Sequence, residues 1–405
     1  MASTTSSSAH RTALVFGASG ITGWAVLREA LQYPTANAFH RVIGLSNRPM
    51  DRSRFLLPED KRLILAHGID LTTTVDDVAA KLSGIESIGD VTDVYFAAYF
   101  QPAGASDFEG HEILKEVNVR MLETAILAVE RVSPSLRFWT LQTGGKSYGN
   151  IHVRQLGPPK VPCKESDPRI PQPYEDQVFY YAQHDVLQTL SAGKTWRFAE
   201  IRPDLVIGFV PGGNNAMNFS QALSVFLSFY ADRETGADGK TKQVPFPGPA
   251  AVYNARATEV GQKTLARAHI FASNLVDAPN GEIYNVGDSP LTTGNTWDEK
   301  WSRICRYFGL EGIAPEGEGA QALSVGAYMS QHEGEWDDFE QKYKLVPGII
   351  KNTSWEFLDV LLTLAAFDRH YDLSKIAAAG FEEQSDVVGN YEETFALMKR
   401  ARILP

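Results

Sequence analysis

Thr12-Ala13-Leu14-Val15-Phe16-Gly17-Ala18-Ser19-Gly20-Ile21-Thr22-Gly23 is an apolar run closed by glycines spaced G-x-x-G-x-x-G. The run reads as a buried strand, and periodic apolar positions resume as a helix from about Ile21 to Tyr33. Each glycine has a steric reason. Gly17 lets the chain turn off the strand, Gly20 lets backbone approach a pyrophosphate, and Gly23 lets the helix pack close to the sheet. Strand, turn and helix N-terminus together form an anion cradle, lined also by Ser19 and Ile21, of the kind that holds a dinucleotide.

Outward from this stretch, His40–Ser46 reads as a second strand that ends in Ser46-Asn47-Arg48-Pro49. In a nucleotide-binding βαβ unit this strand end meets the adenosine ribose, where an acid selects NAD and a cation accepts a 2′-phosphate. No acid occurs until Asp51, so Ser46, Asn47 and Arg48 favour NADP(H). A third strand, Leu63–Ile69, ends in Asp70-Leu71, expected against the adenine. A fourth, Val91–Ala98, ends in Ala97-Ala98, small residues that leave room for the cofactor. After a helix from about Phe108 to Arg131, Leu136–Gln142 reads as a fifth strand. Ligands of open parallel sheets bind beyond the strands' carboxyl ends, which is where Thr143, Lys146 and Tyr148 fall.

Residues 149–178, rich in proline, read as an excursion from the sheet, and a helix follows from Val178 to about Ala192. Short-chain dehydrogenases place a catalytic tyrosine and lysine four apart on this helix. That pattern fails here, since His184 follows Tyr180 by four and Asp185 follows Tyr181 by four. Tyr371 to Lys375 is the one Tyr-x-x-x-Lys in the chain and reads as an accident, too late to join a site at the sheet. The next strand, Trp196–Val206, brings Pro203, Leu205 and Val206 to the cofactor site. The apolar helix Met217–Tyr230 opens a substrate lobe, and a helix from about Thr258 to Ala272 and a strand, Glu282–Val286, return to the main domain.

A charged fraction of 21% against 43% hydrophobic residues is a globular composition that can bury a large core. The formal net charge of −11 argues against nucleic acid or an anionic membrane as the main partner and leaves a phosphate ligand dependent on local cations. Two cysteines, Cys163 and Cys305, are too few for a disulfide framework and lack metal-ligand spacing, so a reducing, cytoplasmic setting is the default. Met1–His10 is Ser/Thr-rich, lacks the apolar core of a secretion signal and reads as a disordered tail. Trp355–Phe367, the longest apolar stretch, is too short to span a bilayer. The fold class expected is α/β: a Rossmann-type doubly wound parallel sheet (11–208, with a returning segment at about 255–288) and a smaller, mostly helical substrate lobe (209–254 and 289–405).

Taken in order, Gly17–Gly23, Asn47-Arg48-Pro49, Val91–Phe96, Asn118–Leu122, Leu141-Gln142-Thr143-Gly144-Gly145-Lys146-Ser147-Tyr148, Phe179-Tyr180-Tyr181 and Arg202-Pro203 through Met217-Asn218 resemble the progesterone 5β-reductase and iridoid synthase-like enzymes. These are a divergent branch of the extended short-chain dehydrogenases. The resemblance runs over most of the chain. It implies reduction of an electron-poor C=C bond with hydride from NADPH, with the family's catalytic lysine on Lys146 and its tyrosine on Tyr180, both also touching the cofactor. Tyr99, Tyr148 and Tyr181 are expected at the substrate pocket with Phe209, Met217, Phe219 and Phe226, a set of four that is expected to include plain core positions as well. The sequence departs from the pattern at Ser147, where the family usually has histidine, at Asn47, where plant members often have a second arginine, and over Val210–Ala216, which is longer and richer in glycine and asparagine.

The chemistry has its own logic. Hydride delivered to the β-carbon of an enone collects charge on an oxygen several bonds away, and a lysine on a strand end with a tyrosine on the next helix suits that longer reach. Tyr180 would bond the enolate oxygen and Lys146 would add positive charge beside it. The expected partners are an apolar small molecule, a terpenoid, steroid or polyketide-like enone, and a second copy of the chain as a homodimer. A carbonyl reductase or epimerase of the same superfamily, and a non-catalytic NADP(H)-sensing regulator, stay open as alternatives.

Overall fold

The computed structural model describes residues 11–105, 110–213, 217–234, 241–275, 277–315 and 323–405. The expected tail at 1–10, the start of the expected helix at Phe108 and the end of the Val210–Ala216 turn lie outside the described residues.

The strands of the sheet are short and mainly apolar. They are β1 (Thr12–Phe16), β2 (Arg41–Leu45), β3 (Leu63–Ala66), β4 (Asp93–Phe96), β5 (Phe138–Gln142) and β6 (Arg197–Arg202). Helices α1 (Ile21–Ala30), α2 (Arg52–Phe55), α3 (Val75–Ser83), α4 (His111–Val132), α5 (Val153–Leu156) and α6 (Phe179–Ser191) fall between them. Beyond these come β7 (Leu205–Ile207), α7 (Phe219–Glu234), β8 (Lys242–Pro245), α8 (Ala250–Asn254), β9 (Glu259–Gly261), α9 (Gln262–Ala272) and β10 (Glu282–Asn285). The seven-stranded sheet has the order β10-β6-β5-β4-β1-β2-β3, with every pair parallel.

Residues of β1 show why the sheet is covered on both faces. Side chains alternate across a strand. Ala13 and Val15 join one apolar cluster with Trp24 and Leu27 of α1, while Leu14 and Phe16 join another with Leu122 and Ile126 of α4. A strand buried on both sides must be apolar throughout, which is how this one reads. Helix α1 packs on α9 over the first face, and α3, α4 and α6 pack in series over the second. The first cluster continues without a break into Phe219 and Phe226 of α7, and on to Trp297, Trp301 and Phe395.

Two expected elements differ. The strand expected over Trp196–Val206 divides at Pro203-Asp204, because proline has no N–H to continue the ladder. Beyond the break, β7 leaves the sheet and pairs parallel with β9. The helix expected from Thr258 therefore starts at Gln262, since Glu259–Gly261 is spent on that pairing, where Val260 suits a strand.

The glycine turn is as tight as its spacing requires. Gly17 has φ +81°, and a Cβ built there would stand 2.6 Å from the Ala97 carbonyl oxygen. A Cβ on Gly23 would overlap the Gly17 carbonyl. Gly23→Ala should therefore force α1 away from the turn and cost about 1–3 kcal/mol, read by urea unfolding. An unchanged midpoint would show that the turn has room to give.

Candidate active site

The anion cradle forms as its sequence requires. Helix α1 begins at Ile21 with no side-chain cap and no acid in its first turn, so its N-terminal N–H groups are left for a ligand. A Cβ built on Gly20 would crowd the Gly17 carbonyl oxygen at 3.3 Å, so a side chain here would press on the turn. Ser19 Oγ lies 3.2 Å from Ser46 Oγ, which joins the first and second strand ends. Arg48 is exposed and makes no hydrogen bond or ion pair among the described residues. Asp70 is turned to its own loop, accepting from Thr72 N at 2.9 Å and Thr72 Oγ1 at 2.7 Å. Those Thr72 bonds, with smaller help from Lys81 and Asn47, hold its carboxyl below the ordinary range. Ala97 and Ala98 press their backbone on Gly17, and Ile21 reaches across to Gly208. Leu71 packs inward, 5% exposed. These residues fit a dinucleotide, with a bare helix end for the pyrophosphate and an uncommitted guanidinium at the second strand end.

Lys146 and Tyr180 come together from different elements. Lys146 lies in a short 3-10 turn (Gly145–Tyr148) after β5, and Tyr180 in the first turn of α6. The Lys146 ammonium stands 5.5 Å from the Tyr180 ring centroid, 5.4 Å from that of Phe179 and 5.8 Å from that of Tyr99. Three aromatic rings around one cation attract it through their quadrupoles. A Cβ built on Gly144 would be 3.8 Å from the Tyr180 hydroxyl and 3.3 Å from the Pro203 carbonyl, so the fifth and sixth strand ends meet Tyr180 here. Leu205 and Val206 continue from Pro203 as β7, both half-buried.

Several residues assigned to ligands are committed elsewhere. Thr143 turns inward, its Oγ1 donating to Glu200 Oε1 at 2.6 Å. Tyr148 is buried, with its hydroxyl on Asn285 Oδ1 at 2.7 Å and its ring 4.9 Å from the Arg202 guanidinium. The Tyr181 hydroxyl donates to the Ser147 carbonyl at 2.6 Å and accepts from Ile170 N at 3.2 Å. Phe209 has no exposed surface and packs edge-on to Trp24, a core position that no substrate can touch. Tyr99 stacks on Phe179 beside Lys146, and Met217 is 38% exposed. Tyr371, expected too late in the chain to join a site at the sheet, reaches it: its hydroxyl donates to the Pro203 carbonyl at 3.3 Å and lies 2.9 Å from where a Gly145 Cβ would be. Sequence distance misled, because a later segment returns beneath the Lys146 turn. Lys375 does not follow it there, pairing instead with Glu282 at 2.5 Å.

Sequence reasoning missed two carboxylates beneath this turn. Burial alone would push Glu200 up, but Arg202, then His184 and Thr143, outweigh it and bring its carboxyl down to about 2. Asp204 goes the other way. Burial lifts it to about 6, more than Arg369 at 3.0 Å and Asn150 at 3.1 Å offset. The available signal was a charged residue inside an apolar strand, Phe198-Ala199-Glu200-Ile201, which is tolerated only when fully paired.

A family model described as a PRISE-like Rossmann-fold domain matches residues 13–405. This chain belongs to that family. "Short chain dehydrogenase sirQ" of Leptosphaeria maculans is 35% identical over 97% of both chains. "(S)-8-oxocitronellyl enol synthase" of Catharanthus roseus is 24% identical over 86% of this chain and 81% of its own. The crystal structure of the Bordetella bronchiseptica enzyme WbmG in complex with NAD superposes with a TM-score of 0.56 at 13% identity, covering 98% of this chain and 96% of that one. PRISE-like membership and these relatives support an oxidoreductase. No helix among the described residues is long and apolar enough to cross a membrane.

For this PRISE-like chain the buried Glu200 makes a definite pH prediction. Its folded value lies below the ordinary 4.5, so the stability it contributes is present above about 4.5 and lost as pH falls toward about 2. Glu200→Gln should cost about 3–5 kcal/mol at pH 7, since it leaves Arg202 buried without its counter-charge. Urea unfolding should find that difference from wild type shrinking from pH 5 to pH 3, and a constant difference would contradict the ionised assignment.

Proposed function

We propose that this protein is an NADPH-dependent reductase of an activated C=C bond in an apolar small molecule. The observation that carries this reading is the approach of Lys146 to Tyr180 from two separate elements, at the sheet edge where the glycine turn opens. The relative named as an enol synthase supports the same class of chemistry, and WbmG supports a nicotinamide cofactor in this fold.

The glycine turn and α1 N-terminus would hold the pyrophosphate, and Ser46, Asn47 and Arg48 the 2′-phosphate. When bound, the nicotinamide supplies a hydride. The substrate accepts it at the β-carbon, the C=C π pair shifts toward the carbonyl, and negative charge gathers on the oxygen. The Tyr180 hydroxyl donates a hydrogen bond to that oxygen, and the Lys146 ammonium adds charge at a site partly screened from water. Proton uptake at the α-carbon completes the saturated carbonyl product. Tyr99 and Phe179 supply apolar wall beside the reacting carbonyl, which suits a terpenoid, steroid or polyketide-like enone.

NADPH consumption should be measured with a panel of small enones, with products identified by mass and NMR. Saturated ketone is the expected product, whereas allylic alcohol would move the reaction to carbonyl reduction. Tyr180→Phe should lower turnover by about 10²–10³ with NADPH affinity kept. Arg48→Ala should weaken NADPH more than NADH by about 1.5–3 kcal/mol, as for a hydrogen bond to a charged group. Equal losses for both cofactors would mean that Arg48 does not read the phosphate.

A further inference from the structure

When two catalytic groups sit four residues apart on one helix, the helix itself fixes their separation. Lys146 and Tyr180 lack that link, so their separation depends on what ties the end of β5 to the start of α6. We propose that the buried Glu200 carboxylate is this tie, and that His184 is the positioning residue through which it holds the helix of Tyr180. The inference rests on Lys146 and Tyr180 acting together, as proposed above.

Glu200 is 2% exposed, on β6 between the two elements. Its Oε1 accepts from Thr143 Oγ1 at 2.6 Å and from Arg202 Nε at 3.0 Å and Nη2 at 2.7 Å, while Oε2 lies 2.8 Å from His184 Nδ1. An ionised carboxylate only accepts, so Nδ1 carries the proton. Thr143 stands three residues before Lys146 at the strand end. His184 stands one helical turn after Tyr180, on the same face. One carboxylate thus binds the strand that leads to the lysine and the helix that carries the tyrosine.

The surroundings make the tie directional. His184 packs edge-on to Phe198, with ring centroids 5.2 Å apart, so its imidazole has a fixed wall behind it. The apolar seat of α6, through Leu187, resists separation but not sliding. Tyr181, bonded to the Ser147 carbonyl, holds the helix at a second point near its N-terminus. Two attachments, one turn apart, fix both the height of α6 along the sheet and its rotation. His184 occupies the place where a single-helix dyad would carry its lysine, so a positioning group has replaced a reacting one.

The test compares His184→Leu with His184→Asn, whose amide can donate where Nδ1 does. Turnover is measured with NADPH and 2-cyclohexen-1-one, NADPH affinity by fluorescence, and hydrogen exchange over 143–149 and 179–191. His184→Leu should lower kcat about 10²-fold, the scale of a 1 Å misplacement, with NADPH affinity unchanged. Exchange should quicken in both segments, and His184→Asn should restore rate and protection. Equal losses in the two variants, or faster exchange confined to 179–191, would overturn the proposal. Should wild type fail to reduce the enone while the exchange result holds, the enone reading falls and the tie stands. Thr143→Val, which breaks the other arm without changing shape, should quicken exchange in 179–191 if His184→Leu does not fold, and unchanged exchange there would overturn the tie.

Discussion

All seven strands of the main sheet run in one direction, and every feature of the site follows from that constraint. Parallel neighbours need crossovers, so each strand delivers its carboxyl end to the same edge and each helix returns the chain to the other. The glycine turn, Ser46-Asn47-Arg48, Ala97-Ala98, the Lys146 turn and Pro203 come from five different strand ends, yet they share that edge. The strands' apolar residues bury both faces, and most polar groups are left for the loops, with the paired Glu200 and Arg202 of β6 as exceptions.

Polar groups that remain inside are held to account by the low dielectric around them. Glu200 and Asp204 lie four residues apart and shift in opposite directions. The difference is in their donors. Glu200 has a doubly bonded guanidinium, a hydroxyl and an imidazole, enough to outweigh the loss of water, whereas Asp204 has one guanidinium contact and one amide. A buried carboxylate is stable as an anion only when nearly all its lone pairs are met. Lys300 and Glu259 form a second buried pair, with the ammonium 2.5 Å from Glu259 Oε1 and the Tyr391 hydroxyl on the same oxygen at 3.2 Å.

The parts of the molecule written in short range were legible in the sequence. The strand and helix at Thr12–Ala30 follow from local apolar pattern and glycine spacing, whereas the break at Pro203 is passed over because the apolar run continues across it. The residues that escaped depend on partners far along the chain. Tyr148 and Tyr181 sit beside the site in sequence, but a tyrosine near a loop can hold that loop as readily as it lines a pocket, and only Asn285 and Ser147 decide which. Phe209 looks the same as a pocket phenylalanine until Trp24 closes over it. Tyr371 returns to the Lys146 turn from more than two hundred residues away, and no periodicity in the sequence announces that.

Moving the lysine from the helix to a strand end has a cost and a use. The cost is rigidity, since a covalent spacing is replaced by hydrogen bonds between elements, each of which must be fully satisfied to hold. The use is freedom of placement. On one helix the two groups face the same small region, suited to a donor next to the carbon that takes the hydride. On separate elements they approach from two sides, and Lys146 sits among Tyr99, Phe179 and Tyr180, walled by rings. An oxygen several bonds from the hydride acceptor needs its stabilising groups displaced in the same way. Under the proposed C=C reduction, the irregular geometry of the site and the irregular motif in the sequence share one rationale, the distance between where a hydride arrives and where the charge goes.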